Sequence, residues 1–271
     1  MTPLGSCRNG SLHRVRRMML LAAALFSLAL PCASFAQQQA LPKPTGKRPL
    51  SWRIKTFEAP DRSKWQKPAE VIKALGLKPG MTVADIGAGS GYFTRRFARA
   101  VGPSGKVYAV DISKDILDYL KKQSDKEGLH NIVTVLGKPD DPMLPARALD
   151  VAFFAATTHH IGHRTSFFKK VYAALKPNGQ MAVIDFPPEA HANGWCPHQP
   201  SELIPSWEII REAEDAGFKL DRTYNFIPRQ YFIVLDKGEA TWHELAGFGE
   251  TYDSERLALG LEIERLAALR F

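Results

Sequence analysis

Two clusters in this chain of 271 residues combine residue types and spacings that could do chemistry. The first is Asp85-Ile86-Gly87-Ala88-Gly89-Ser90-Gly91-Tyr92, where three glycines alternate after an apolar run, Met81 to Ile86. Glycine lacks a Cβ and tolerates φ > 0, so the backbone there can approach a ligand closely. Tyr92 to Val101 follows with Phe93, Phe97 and Val101 at helical spacing, and a helix start presents unpaired N–H groups. A strand, a glycine turn and a helix start make a nucleotide-binding corner. The second cluster is Ala156-Thr157-Thr158-His159-His160. Imidazole accepts a proton near neutral pH, so His160 and His159 are the candidate catalytic residues, and either one could instead be structural. His163 extends the pair to H-H-x-x-H. No metal is expected there, because these loop histidines have no carboxylate close by in sequence.

The elements that must position these residues alternate strand and helix. A helix is expected over Ser63–Leu77, closed by Lys78-Pro79-Gly80, and a second strand over Lys106–Val110 ends at Asp111. Asp111 lies 24 residues after Gly87, near the roughly 20 expected of an acid that hydrogen-bonds ribose hydroxyls. A helix over Asp115–Glu127 stops at Gly128. Strands follow over Ile132–Leu136 and Leu149–Ala155, then a helix over Arg164–Leu175 and a strand over Gln180–Phe186. A helix over Ser201–Ala216 precedes two closing antiparallel strands, Phe218–Ile227 and Gln230–Leu235. Such alternation gives an α/β domain with a mostly parallel sheet and helices on both faces.

The spacing D-x-G-x-G-x-G resembles motif I of the class I S-adenosylmethionine-dependent methyltransferases. The element order resembles their seven-stranded fold across roughly Pro68 to Asp236, and Leu175-Lys176-Pro177-Asn178-Gly179 is similar to their common L-K-P-G-G. The resemblance implies a Rossmann-like, seven-stranded, mostly parallel sheet with an antiparallel last strand, and S-adenosyl-L-methionine as cofactor. It places cofactor contacts at Asp85, Gly87, Ala88, Gly89, Ser90, Gly91, Tyr92, Asp111, Ile112 and Ala156. Asp140, or alternatively Asp141, would accept from the adenine amino group; a solvated acidic turn around prolines is the other reading of those two. The ligand crevice would lie between the first and fourth strands. His159-His160-Ile161 resembles an H-H-I sequence at this point in a subgroup of small bacterial methyltransferases, which implies a small-molecule methyl acceptor beside the histidines. Two alternatives remain: a non-catalytic protein of the same fold that binds S-adenosylmethionine or a nucleoside, and an NAD-dependent oxidoreductase. Tyr92 argues against the second, since the dinucleotide fingerprint G-x-G-x-x-G needs glycine there.

The ends of the chain read differently. Residues 1–36 have the form of a secretory signal peptide: Arg8, Arg14, Arg16 and Arg17, then an uncharged apolar run of 16 residues from Met18 to Ala33, with cleavage expected after Ala36. That run is short for a spanning helix, which needs about 20 residues. The mature protein is then expected in the periplasm or secreted, with no integral membrane span. Because the segment holds four arginines and no acid, its removal lowers the formal charge from +8 to +4. No nucleic-acid footprint is expected at that charge. Cys7 and Cys32 leave with it, and the remaining Cys196 can form no internal disulfide. Residues 37–60 read as a Pro/Gln/Lys-rich linker whose Trp52 and Phe57 could dock on the domain, and 61–236 as the domain itself. Residues 237–271 read as a C-terminal extension with an amphipathic helix over Glu255–Leu269.

Overall fold

The computed structural model describes residues 48–196 and 198–237. The expected signal peptide and the helix at 255–269 lie outside the described residues. Seven strands form one sheet: β1 (Thr82–Ile86), β2 (Lys106–Asp111), β3 (Ile132–Leu136), β4 (Leu149–Ala155), β5 (Leu175–Asp185), β6 (Phe218–Tyr224) and β7 (Tyr231–Lys237). Their order is β3-β2-β1-β4-β5-β7-β6. β7 pairs antiparallel with both β5 and β6, and the other pairs are parallel. This is the expected Rossmann-like methyltransferase sheet. Chain order reverses between β1 and β4, which puts the crevice where a ligand binds in such sheets beyond their carboxyl ends.

The central strands are apolar on both faces because helices cover both. Val83, Val107, Val151, Phe153, Ala182 and Ile184 share one core layer with Phe93, Phe97 and Val101. Ala84, Ile86, Ala152, Phe154, Met181 and Val183 share the other with Phe167, Phe168 and Val171. The helices supplying those partners are α4 (Thr94–Val101) and α6 (Arg164–Ala174). Phe153 meets Phe93 and Phe97 edge-on, with ring centroids 4.8 and 4.9 Å away. Truncating such a buried ring to alanine costs about 3–5 kcal/mol. The longest described helix, α5 (Lys114–Lys126), packs on β2 and β3.

Several boundaries depart from expectation, mostly at prolines. The helix expected over Ser63–Leu77 is two helices, α2 (Arg62–Gln66) and α3 (Pro68–Ala74), with Lys67 between them at φ 48°. Proline disfavours α geometry in the residue before it and suits a first helical turn. The helix expected over Ser201–Ala216 is a 3-10 turn at Pro200–Glu202 followed by α7 (Ser206–Glu214), which starts after Pro205. β5 begins at Leu175, five residues early, and runs through Asn178 at φ 63°, a left-handed conformation that asparagine tolerates. Within the stretch expected as linker, Leu50–Phe57 is a helix, α1.

Candidate functional site

The three glycines of the corner all have positive φ, 76°, 53° and 87° in order, but their surroundings differ. A Cβ on Gly87 would lie 2.2 Å from Thr157 Oγ1, so this glycine lets the loops after β1 and β4 touch. On Gly91 it would lie 2.7 Å from Leu120 Cγ, so that glycine lets α5 pack. At Gly89, which is buried, the ring of Phe57 lies 3.0 Å from where a Cβ would be, so this glycine lets the segment before the domain pack on the corner. Glu58 lies beside it, accepting from Ser90 Oγ at 2.6 Å and from Arg95 at 3.0 Å. Arg53 of α1 donates to Ser113 at 2.9 Å and pairs with Asp115. The segment 50–58 therefore rests on the glycine corner, a contact its composition hinted at only through Phe57.

Asp111 closes β2 with its carboxylate turned to the corner. Its Oδ2 accepts from the Gly89 N–H at 3.0 Å and its Oδ1 from the Ser113 N–H at 2.9 Å. Next to it Ile112 is 66% exposed, an apolar side chain at the mouth. The structure thus brings Gly89, Ser90, Asp111 and Ile112 together. It sets Asp85, Ala88 and Tyr92 in the layer beneath, all three buried. Asp85 is 2% exposed and accepts from Thr94 Oγ1 at 2.5 Å, at the start of α4. Burial pushes its carboxyl up to about 6, against the Thr94 hydrogen bond and the Arg62 charge, which lower it. The Tyr92 ring is held between Arg62 and Arg96, whose guanidinium carbons lie 4.0 and 3.8 Å from its centroid. Beyond β3, Asp140 is exposed, while Asp141 accepts from the Met143 N–H at 2.7 Å and pairs with Lys170 at 3.1 Å. That backbone hydrogen bond, ahead of the Lys170 contact, holds Asp141 below the usual carboxylate range.

Across the crevice, β4 is followed by Ala156 at φ 54°. Non-glycine residues hold this conformation at a cost, commonly near functional sites. The turn Thr158–His160 follows. Asp185, at the carboxyl end of β5, organises it. One carboxylate oxygen accepts from the Thr158 N–H at 3.0 Å and Oγ1 at 2.6 Å. The other accepts from the Phe186 N–H at 2.8 Å and meets His159 Nδ1 at 2.9 Å. Burial would raise the Asp185 pKa, but the His159 and Thr158 contacts outweigh it and hold the carboxyl below its ordinary range. Both side chains of the His159–Asp185 pair are only 2% exposed.

His160 and His198 complete the group. Ring centroids lie 4.1 Å apart for His159 and His160, 4.7 Å for His159 and His198, and 5.2 Å for His160 and His198. The three rings line a cavity of about 390 Å³ with Ile161, Gly162, Ser201 and Ile204. His160 keeps an exposed edge, yet desolvation of its ring, and then the neighbouring His159 and His198, lower its pKa to about 4. Of the two candidate histidines, His159 is the buried one and His160 the one open to solvent. His198 reaches the cluster from the loop after β5. Asp185 was missed, although an acid at the end of the apolar run Met181–Ile184 is a signal, since a charge is placed at a buried strand end only with partners. Cys196 is buried, and burial raises its thiol pKa, so it stays protonated at neutral pH. Among the described residues, no helix is long and apolar enough to cross a membrane.

Comparison with known proteins agrees with this geometry. Residues 77–222 match a methyltransferase domain family. The ubiquinone/menaquinone biosynthesis C-methyltransferase of Ectopseudomonas mendocina is 31% identical over 116 residues, 42% of this chain and 45% of that protein. The demethylmenaquinone methyltransferase of Listeria welshimeri is 26% identical over 150 residues, 55% of this chain and 57% of that protein. The chain therefore spans about half the length of the curated relatives it matches. The crystal structure of a SAM-dependent methyltransferase from Aquifex aeolicus superposes with a TM-score of 0.65 at 29% identity, covering 70% of this chain and all of that one. The family match spans more than half of the sequence, and the chain belongs to the methyltransferase domain family.

Proposed function

We propose that this chain transfers the methyl group of S-adenosylmethionine to a small-molecule acceptor. One observation carries the reading: at the β1/β4 switch point Thr157 lies against Gly87, so the glycine corner and the histidine-lined cavity adjoin along one loop. The corner fits the cofactor. Gly89 presents bare backbone beneath the Phe57 ring, Asp111 at the end of β2 turns its carboxylate to the corner as a ribose-binding acid would, and Ile112 offers an exposed apolar surface. When bound, the cofactor supplies a sulfonium methyl that is already activated. The chain's own work is then alignment and exclusion of water. In this reading Gly89 and Asp111 hold the nucleoside, and Asp140 or Asp141, after β3, takes the adenine amino group. His159, fixed by Asp185, and His160 orient the acceptor. A histidine lowered to about 4 is neutral at pH 7 and a weak proton acceptor there, so orientation suits His160 better than general-base catalysis.

The quinone-methylating relatives put ring-bearing phenols and quinols first among acceptors to screen. The basic, apolar start of the chain supports a further reading, that the protein acts outside the cytoplasm. Calorimetry with S-adenosylmethionine and S-adenosylhomocysteine tests the function. One-to-one binding that Gly89→Val abolishes is expected, followed by acceptor-dependent release of S-adenosylhomocysteine. Absence of binding to either compound overturns the proposal.

A further inference from the structure

We propose that His159, His160 and His198 bind one divalent first-row transition-metal ion at the wall of the acceptor cavity. Each offers a ring nitrogen, and the three nitrogens lie within 4.8 Å of one another. Ligands about 2.0–2.1 Å from a tetrahedral ion are roughly 3.4 Å apart. Small side-chain rotations close that difference, and His160 and His198 sit on the open side of the cluster, where such rotations meet little resistance.

His159 is what distinguishes the cluster from three rings sharing a polar pocket. Its side chain is 2% exposed, and its Nδ1 is committed to Asp185. That contact leaves Nε2, which is buried and has no hydrogen-bond partner among the described residues. An unpartnered nitrogen in a buried ring is costly, and a bond to a metal removes the cost. A carboxylate on one ring nitrogen with the other directed at a cation is how proteins orient metal-binding histidines. The objection from sequence was the lack of a nearby carboxylate; the fold supplies Asp185, 26 residues along the chain from His159. The third histidine is likewise His198, brought in by the segment after β5, and His163 is not part of the cluster.

The donor set names the class of ion. Imidazoles without a carboxylate ligand suit zinc, iron, nickel or copper and do not suit magnesium or calcium. Three histidines leave a coordination position open toward the cavity, the arrangement of a catalytic rather than a structural centre. Assigning that position to an oxygen donor of the methyl acceptor rests on the function proposed above; the metal site itself stands on the histidine geometry.

The test uses the full-length protein without a histidine tag, titrated with Co²⁺ and followed by visible absorption, then displaced by Zn²⁺. One equivalent should bind with the intense bands of a tetrahedral site, and excess Mg²⁺ should not compete. His160→Ala and His198→Ala should each weaken Co²⁺ binding by about 100-fold or more. Asp185→Asn, which removes the carboxylate that orients His159 and holds the Thr158 turn, should weaken it about 10–100-fold. Circular dichroism in chelator identifies any variant that fails to fold, and His198, half-exposed on a loop, provides the variant least prone to that. A weak octahedral spectrum, or an affinity unchanged in a folded His160→Ala/His198→Ala double variant, overturns the site. Calorimetry with S-adenosylmethionine in chelator reads the cofactor reading separately, because the expected cofactor contacts other than Ala156 lie on other loops.

Discussion

Asp85→Asn should stabilise the protein at neutral pH, by an amount that depends on pH in a defined way. The Asp85 carboxyl is buried and titrates at about 6 in the folded chain, against about 3.9 when unfolded. The folded state therefore binds the proton more tightly. Below about pH 3 both states are protonated and the group is neutral toward stability. Between about 4 and 6 the unfolded state loses its proton first, and the folded state loses stability as pH rises. At about 1.4 kcal/mol per pH unit, the total is on the order of 3 kcal/mol, fully present at pH 7. Asparagine keeps an oxygen for the Thr94 hydroxyl, which donates to Asp85 at 2.5 Å, and it removes the buried charge. Urea unfolding of both proteins, followed by tryptophan fluorescence at pH 4 and pH 7, measures the effect. Other titrating groups are common to both and cancel in the difference. The gain of Asp85→Asn over wild type should be about 2 kcal/mol larger at pH 7 than at pH 4, where the unfolded carboxyl is already half ionised. A difference that does not change with pH, or that changes in the opposite direction, refutes the reasoning.

Gly87→Ala should destabilise the fold by about 2–4 kcal/mol, combining a left-handed φ of 76° with overpacking against Thr157. A second change, Thr157→Gly, should recover the overpacking part in a double-mutant cycle of unfolding free energies. Asp111→Ala should weaken S-adenosylmethionine binding by about 1.5–3 kcal/mol, read by calorimetry, because a charged acceptor is lost. His160→Ala should lower turnover of an identified acceptor about 100-fold while cofactor affinity stays constant; a parallel loss of cofactor affinity would place this loop against the cofactor instead. Intact-mass analysis of extracytoplasmic protein should show a chain that begins at Gln37, and recovery only of cytoplasmic protein retaining Met1 would refute export.

The cofactor corner was readable from local spacing because every residue that shapes it lies within a short window or at a strand end. Strands β3 and β4 fall where periodicity puts them, and Asp111 ends β2 as expected. What sequence could not show depends on contacts between distant segments. Asp185 and His159 are 26 residues apart, and nothing in either neighbourhood signals that they pair. Phe57 and Glu58 sit in a stretch whose composition resembles a linker, and their role comes from packing on Gly89 and Ser90, more than 30 residues away. The helix boundaries failed for a local reason. Pro68 and Pro205 interrupt segments whose apolar periodicity continues across them, and the proline effect outweighs the periodicity.

Three consecutive residues tie the two halves of the site into one structure. Thr157 occupies the space that Gly87 leaves, Thr158 gives both its N–H and its hydroxyl to Asp185, and His159 gives Asp185 its ring nitrogen. The loop after β4 is therefore gripped from the β1 side by a steric fit and from the β5 side by a buried carboxylate. The left-handed Ala156 just before it is the backbone cost of turning β4 into that grip. Such a loop has little freedom to adjust to its ligands, so the separation between the glycine corner and the histidines is set before either ligand arrives. For a transfer in which the chain's contribution is alignment, a preset separation is the property that matters, because small misplacements of the reacting groups are costly in rate. It follows that changes at Asp185 and at Gly87, on opposite sides of the loop, act on one geometry and should be non-additive in turnover, although they share no direct contact.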